Sequence, residues 1–141
     1  LVTGLRSANA LSRSGNDARA KEVLEAVLQL VEPRIRRTAG LVREFDALGQ
    51  AQVSPLPFMR LMSAILMDAA ELCGSARGLV RIGATSTQLI VSVESVTTRT
   101  WASTLQSVAS ELHFDVAIAQ HPPAITIALP HALTIEQPQP S

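Results

Sequence analysis

Apolar residues recur at alternating steps of four and three in residues 18–48, the most regular hydrophobic pattern of the chain. Such heptad spacing is typical of helices that pack along one apolar seam in a coiled coil or bundle. The pattern predicts one long helix that pairs with another, and we expect its partner to be a second copy of the chain. The predicted dimer seam consists of Leu24, Leu28, Val31, Ile35, Thr38, Val42 and Phe45.

A shorter helical pattern precedes the long one, and turn-forming residues at 12–17 separate the two. Pro33 lies inside the long predicted helix. Because the seam continues in register beyond it, we predict a kink and not a break. Residues 1–51 are thus predicted to form a helical hairpin that becomes a four-helix bundle on dimerisation. The apolar residues of the shorter arm are Leu1, Leu5, Ala8 and Leu11.

The remainder of the chain alternates between helical and strand patterns. Ser54 and Pro55 suit the N-cap and the first position of a helix, which an apolar stripe continues to near Gly74. Another helix is predicted from about Thr100, with Trp101 in its buried stripe. Alternation with a period of two predicts four strands, at residues 79–84, 88–94, 114–119 and 124–129.

Each predicted strand has one strongly apolar face, which indicates a single, mostly antiparallel sheet with both helices on that side. The sequence therefore predicts an α+β chain. Its parts are the dimerisation hairpin at residues 1–51, an α/β sandwich at 52–132 and a flexible, proline-rich tail at 133–141.

Charge and composition narrow the classes of function. The 12 basic and 12 acidic residues balance, so no net field attracts the chain to nucleic acid or to a membrane surface. No apolar run approaches the ~20 residues that span a bilayer, and no secretory signal pattern opens the chain. The single Cys73 excludes an internal disulfide and fits a reducing cytoplasm. We expect a cytoplasmic protein that neither binds nucleic acid nor inserts into a membrane.

Residues with catalytic or metal-binding chemistry are few and scattered. His113, His121 and His131 share no ligand spacing with one another or with Cys73, so no metal site is predicted. No phosphate-binding loop or dinucleotide fingerprint appears, and no serine or threonine has a paired base. The sequence predicts neither a catalytic residue nor a metal.

A cluster of arginines allows two interpretations. It could be a solvated helix face that shares charge with Glu32 and Glu44, or a docking patch for an acidic partner. The sequence leaves both open. The cluster consists of Arg34, Arg36, Arg37 and Arg43.

The order of these elements resembles the core of bacterial sensor histidine kinases, in which a dimerising helical hairpin precedes a catalytic ATP-binding domain. Residues 32–37 and 41–45 look like the second helix of that hairpin, and residues 61–70 look like the helix that bears the asparagine box. Residues 101–130 look like the closing helix and strand pair of the family. The resemblance implies a reduced histidine-kinase-ATPase-like sandwich.

The chain departs from that family at its functional motifs. In active kinases the box helix presents asparagines, the last of which coordinates Mg²⁺ beside the nucleotide, whereas this chain has Ala64 and Asp68 at the matching positions. No glycine-rich box follows the second strand, and residues 93–98 run almost directly into the last helix. We therefore expect a degenerate nucleotide site, no bound cofactor and no ATP-dependent kinase activity.

Two functional hypotheses follow. The first is a kinase-inactive, histidine-kinase-like homodimer that acts in two-component signalling and docks a response-regulator receiver domain. It would be a histidine phosphotransferase if a phosphoacceptor histidine precedes residue 1, because no histidine of this chain matches that position. The alternative is a non-catalytic dimeric scaffold or protein-interaction module. The sequence does not choose between them and does not identify the partner or the pathway.

Overall fold

Helices cover one face of a five-stranded sheet in the computed structural model, which describes residues 18–49, 51–74, 78–95 and 99–129. The predicted first hairpin arm and the predicted tail lie outside the described residues. The elements, in chain order, are β1 (Ala18–Arg19), α1 (Ala20–Ile35), β2 (Ala39–Glu44), a short 3-10 turn (Asp46–Leu48), β3 (Gln52–Val53), α2 (Pro55–Cys73), β4 (Gly78–Ala84), β5 (Gln88–Glu94), α3 (Thr104–Glu111), β6 (Asp115–Gln120) and β7 (Pro123–Ala128).

The large sheet has the order β2-β4-β5-β7-β6 and is antiparallel except at one edge, where β2 runs parallel to β4. The short strands β1 and β3 pair separately. Alternate residues along β4, β5 and β7 are buried, so the strands share one core-facing side. The α+β class and the mostly antiparallel sheet are confirmed.

The single long helix predicted at residues 18–48 is wrong. α1 ends at Ile35, a turn follows, and Ala39–Glu44 forms the strand that pairs with β4. Pro33 lies in the last turn of α1, and the helix ends at Ile35, so no long segment follows that could form the predicted kink. The β-branched Thr38 and the flexible Gly40 favour helix poorly, and strand pairing replaces the helical hydrogen bonds.

The predicted dimer seam is used inside the chain. Leu24, Leu28 and Ile35 are fully buried in its own core, and Val31 and Phe45 are nearly so. Thr38 and Val42 are half-buried, the first in the turn after α1 and the second on β2. The spacing of this seam correctly indicated a buried face, but the face packs within the domain, chiefly against α2.

The residues interpreted as a hairpin helix belong to the α/β layers. Residues 32–37 include the end of α1, and residues 41–45 lie on β2 and in the residue after it. β1 pairs with β3, and β2 pairs with β4. Strand pairing therefore crosses the predicted boundary between residues 51 and 52.

The long helix of the second half forms as predicted. α2 begins with Pro55 at its first position and ends before Gly74, which adopts a positive φ of 54°. Ser54 is extended, as an N-cap residue should be, but makes no side-chain capping bond. The predicted inner stripe is entirely buried, at Phe58, Leu61, Met62, Ile65, Leu66, Ala69 and Leu72.

The chain returns from α2 to the sheet through a tightly packed residue, Gly78. A Cβ at this position would lie 2.7 Å from the Glu94 carbonyl oxygen and 2.8 Å from the Cys73 Sγ. The Cys73 thiol is buried here, and its burial raises its pKa. Only a residue without a side chain lets the end of α2, the start of β4 and the end of β5 meet.

We expect Gly78→Ala to lower the free energy of unfolding by about 1–3 kcal/mol, because its methyl group would force backbone or side-chain shifts in a packed junction. Gly83→Ala, on the same strand, is the matched control. The nearest atom to its added Cβ is 4.0 Å away. Urea denaturation followed by circular dichroism measures both. Equal stabilities for the two variants would contradict the packing explanation.

Candidate functional site

The candidate site predicted from the resemblance lies on the side of α2 that faces the segment entering α3. Asp68 is half-buried there, and its Oδ2 accepts a hydrogen bond of 2.8 Å from the backbone N–H of Ala102. Ala64, one turn earlier, is partly buried against the core. Asp68 is therefore a hydrogen-bonded bridge between two parts of the chain.

The segment that Asp68 holds, residues 99–102, is here called the strap. Its central residue Trp101 is buried, with 3% of its surface exposed. The indole N–H of Trp101 donates to the Ala119 carbonyl at 3.1 Å, and its backbone N–H donates to the Gln120 Oε1 at 2.9 Å. These bonds attach the strap to β6.

The beginning of the strap is attached to the end of α2. Arg99 Nη1 donates to the Glu71 carbonyl oxygen at 2.9 Å and lies 3.9 Å from the Glu71 carboxylate. A cation is favourable at this end of a helix, where the last carbonyl groups lack helical partners. The strap is thus tied to α2 at Glu71 and Asp68 and to β6 through Trp101.

Trp101 was assigned to the wrong element. The sequence placed it in the buried stripe of a helix starting near Thr100, whereas α3 begins at Thr104 and Trp101 precedes it. Its burial was predicted correctly, because a lone tryptophan at helical spacing from Leu105 indicates a core residue. Its two hydrogen bonds to β6 were not predicted. Their acceptors, Ala119 and Gln120, are distant in sequence, and no local pattern indicates that they contact Trp101.

The arginine cluster divides into two pairs. Arg36 Nε lies 2.5 Å from a carboxylate oxygen of Glu32, and Arg43 forms an ion pair with the other oxygen. The guanidinium groups, Arg36 above all, lower the pKa of the Glu32 carboxyl below its ordinary value. Charge sharing with Glu32 is confirmed for this pair. Glu44, which was expected to share in it, instead pairs with Arg81 at 3.0 Å.

Arg34 and Arg37 differ from that pair. Both are exposed, and neither forms an ion pair with a residue that the structure describes. Both line a groove of about 240 Å³ between α1 and α2, together with Thr38, Met67, Ala70 and Glu71.

The histidines do not come together. His113 follows α3 in a left-handed conformation with a φ of 65°, and His121 lies in the turn between β6 and β7. His131 lies outside the described residues. Among residues 18–49, 51–74, 78–95 and 99–129, no group of three or more His, Cys, Asp or Glu could hold a metal ion. Likewise, no helix in these ranges is both long enough and apolar enough to span a membrane.

Comparison with known proteins identifies the architecture. Neither a family model nor a curated protein matches the sequence. The cytoplasmic segment of histidine kinase QseC superposes with a TM-score of 0.63 at 11% identity, over 92% of this chain and 90% of that one. The catalytic domain of histidine kinase ThkA gives 0.61 at 14% identity, over 81% and 95%. This chain has the histidine-kinase catalytic fold.

A third structure with this fold is the Acinetobacter baumannii histidine kinase AdeS, with a TM-score of 0.56 and 15% identity over 92% of this chain and 76% of that one. At such identities the shared property is the fold. In this chain β2 belongs to the sheet and α1 packs against α2, so the apolar seam of α1 is internal.

The bond between Asp68 and the strap gives a stability prediction. Asp68→Ala should lower the free energy of unfolding by about 1–2 kcal/mol, because it leaves the half-buried Ala102 N–H without its acceptor. Asp68→Asn keeps an acceptor oxygen and should recover most of that loss. Urea titration of both variants, with the exposed Glu25→Ala as control, measures the effect. An Asp68→Ala protein as stable as the wild type would show that the bond does not hold the strap.

The ion pairs of Glu32 predict a pH dependence. A carboxyl group whose pKa is lower in the folded than in the unfolded protein stabilises the fold at pH values above its unfolded pKa. This stabilisation is lost as the pH falls through the folded pKa. For Glu32 the loss should begin as pH falls below about 4.5. Glu32→Gln should flatten the pH dependence of unfolding in this range, and so should Arg36→Gln combined with Arg43→Gln. An unchanged profile in either variant would contradict the assignment.

Proposed function

We propose that this chain is a kinase-inactive domain of the histidine-kinase fold that acts in two-component signalling through protein contacts. The strap carries the proposal. In the resemblance drawn from the sequence, Asp68 stands where active kinases coordinate Mg²⁺, yet its carboxylate accepts the N–H of Ala102. An oxygen already bonded to the backbone and facing a fixed segment is a poor ligand for a hydrated cation.

The short connection between β5 and α3 supports the same conclusion. Only residues 95–103 join the two elements, and the described part of this segment is bonded to α2 and β6. Binding a nucleotide on this side of α2 would need backbone N–H groups turned toward phosphates, usually supplied by a glycine-rich loop. Residues 95–103 contain no glycine. The domain is therefore proposed to work without nucleotide.

Isothermal calorimetry with ATP analogue and Mg²⁺ tests this function. We expect no binding heat up to millimolar nucleotide, while an active histidine kinase catalytic domain titrates normally in the same buffer. Nucleotide binding with micromolar affinity would overturn the proposal. The Asp68→Asn variant is titrated in the same way. It introduces the asparagine side chain that active kinases present in the box but does not free the strap, so we expect it to bind no nucleotide either.

The identity of the partner protein would distinguish a two-component signalling domain from a non-catalytic scaffold. We propose a response-regulator receiver domain as the partner. Titrating one into the same calorimeter separates a signalling domain from a scaffold for other proteins. A phosphotransferase would further require a phosphoacceptor histidine preceding residue 1. A homodimer and a cytoplasmic location stay predictions, and a dimer would have to use surfaces other than the buried seam of α1.

A further inference from the structure

One face of α1 remains uncovered and combines an apolar side chain with cations. Leu30 is 71% exposed, the highest exposure of any large apolar side chain that the structure describes. Arg34 follows one turn later on the same face, and Arg37 lies in the turn that follows the helix. This stripe of Leu30, Arg34 and Arg37 is here called the α1 ridge.

Arg34 and Arg37 of the ridge line the groove of about 240 Å³ between α1 and α2. The α2 side of the groove is formed by the half-buried Met67, by Ala70 and by Glu71. A methionine side chain adapts its shape to different apolar partners. The groove thus offers an adaptable apolar wall beside two cationic side chains.

The charges around the groove leave its arginines available. Glu32, one turn from Arg36, is already engaged by Arg36 and Arg43. Glu71, which lines the groove, lies 3.9 Å from Arg99. Arg34 and Arg37 form no ion pair with a described residue, Glu71 included. The Thr38 hydroxyl in the groove donates to the carbonyl oxygens of Ile35 and Ala70.

We propose that the α1 ridge and the α1–α2 groove form a docking surface for an acidic, amphipathic segment of a partner protein. An apolar side chain of that segment would contact Leu30 and Met67, and carboxylates on either side of it would pair with Arg34 and Arg37. Guanidinium groups bind carboxylates through two parallel hydrogen bonds, which would orient the segment along α1. The inference rests on the proposed function only in that the domain acts by binding protein.

Charge and composition favour a protein segment over a polyanion. Nucleic acid or an anionic membrane requires many cations on one face, whereas the chain is neutral and the ridge presents only two arginines that form no ion pair with a described residue. The exposed Leu30 and Met67 side chains would have no role in phosphate contacts. They would instead provide the apolar surface that the apolar side chains of a helical segment contact when it binds in a groove.

Peptide selection tests the proposal. A displayed library of random 12-residue peptides is selected for binding to the immobilised wild-type domain. We expect enriched peptides to carry at least two acidic residues around an apolar one. The dissociation constant of a synthesised winner, measured by fluorescence anisotropy, should rise at least tenfold for Arg34→Glu combined with Arg37→Glu. It should also rise for Leu30→Asp. The same peptide with its acids replaced by lysine should bind the charge-reversed domain better than the wild type.

Arg60→Glu is the matched control. Arg60 is also an exposed arginine of the outer helical surface without an ion pair to a described residue, but it lies beside Leu56, outside the groove. This variant should leave the affinity within twofold of the wild type, and circular dichroism confirms that each variant is folded.

Several outcomes would overturn the proposal: no enriched peptide, enrichment without acidic residues, or binding lost equally in Arg60→Glu. Co-sedimentation with phosphatidylserine vesicles that is lost in the ridge variants would assign the surface to a membrane. Self-association in the ultracentrifuge that is lost in the same variants would assign it to a second copy of the chain. Nucleotide binding would refute the proposed function while leaving the ridge standing, so the two can fail separately.

Discussion

The burial of α2 between α1 and the sheet is the interaction on which the rest of this structure depends. Its inner stripe is completely excluded from water and packs against α1 and the central strands. Each such large apolar side chain contributes about 1.5–3 kcal/mol when removed from water. Phe58 extends this core to Phe114, whose ring centroid is 5.8 Å away, after the last helix.

Because the inner face of α2 is buried in the core, only its remaining surface can contact other segments or other molecules. Asp68 and Glu71 hold the strap, and Glu71 also lines the groove beside α1 together with Met67 and Ala70. The surface around Asp68 is covered by the strap, whereas the groove remains open to solvent. The proposed change from a catalytic to a binding role follows from this division.

The arginines around α1 illustrate how one residue type serves both structure and recognition. Arg36 and Arg43 converge on Glu32 and link the helix to the edge strand β2. Such exposed pairs contribute little individually, but two cations on one carboxylate define the position of β2 relative to α1. Arg34 and Arg37 form no ion pair with any residue that the structure describes, and they are the two that we propose to bind another molecule. The sequence placed all four in one cluster because spacing alone does not show which acids they reach.

Local sequence pattern determined most of the elements from residue 54 onward. α2, its buried stripe, the four strands and their common apolar face follow from periodicities of 3.6 and two residues, which reflect the direction of each side chain from its own backbone. The match of Ala64 and Asp68 to box positions came instead from the resemblance to histidine kinases. The same pattern failed at residues 36–48, where a parallel edge strand derives its stability from pairing with β4 rather than from its own sequence.

Tertiary structure alone decided what each buried or polar face contacts. The heptad spacing of α1 required an apolar partner, but a helix, a sheet and a second copy satisfy that requirement equally. The short turn from α1 into β2, together with the pairing of β2 with β4, made the partner internal. Asp68 likewise showed only a carboxylate on a helix until the fold brought Ala102, 34 residues later in the chain, to within 2.8 Å. The periodicity of a sequence shows that a side chain is buried. Which residues it packs against depends on contacts between parts of the chain that are far apart in sequence.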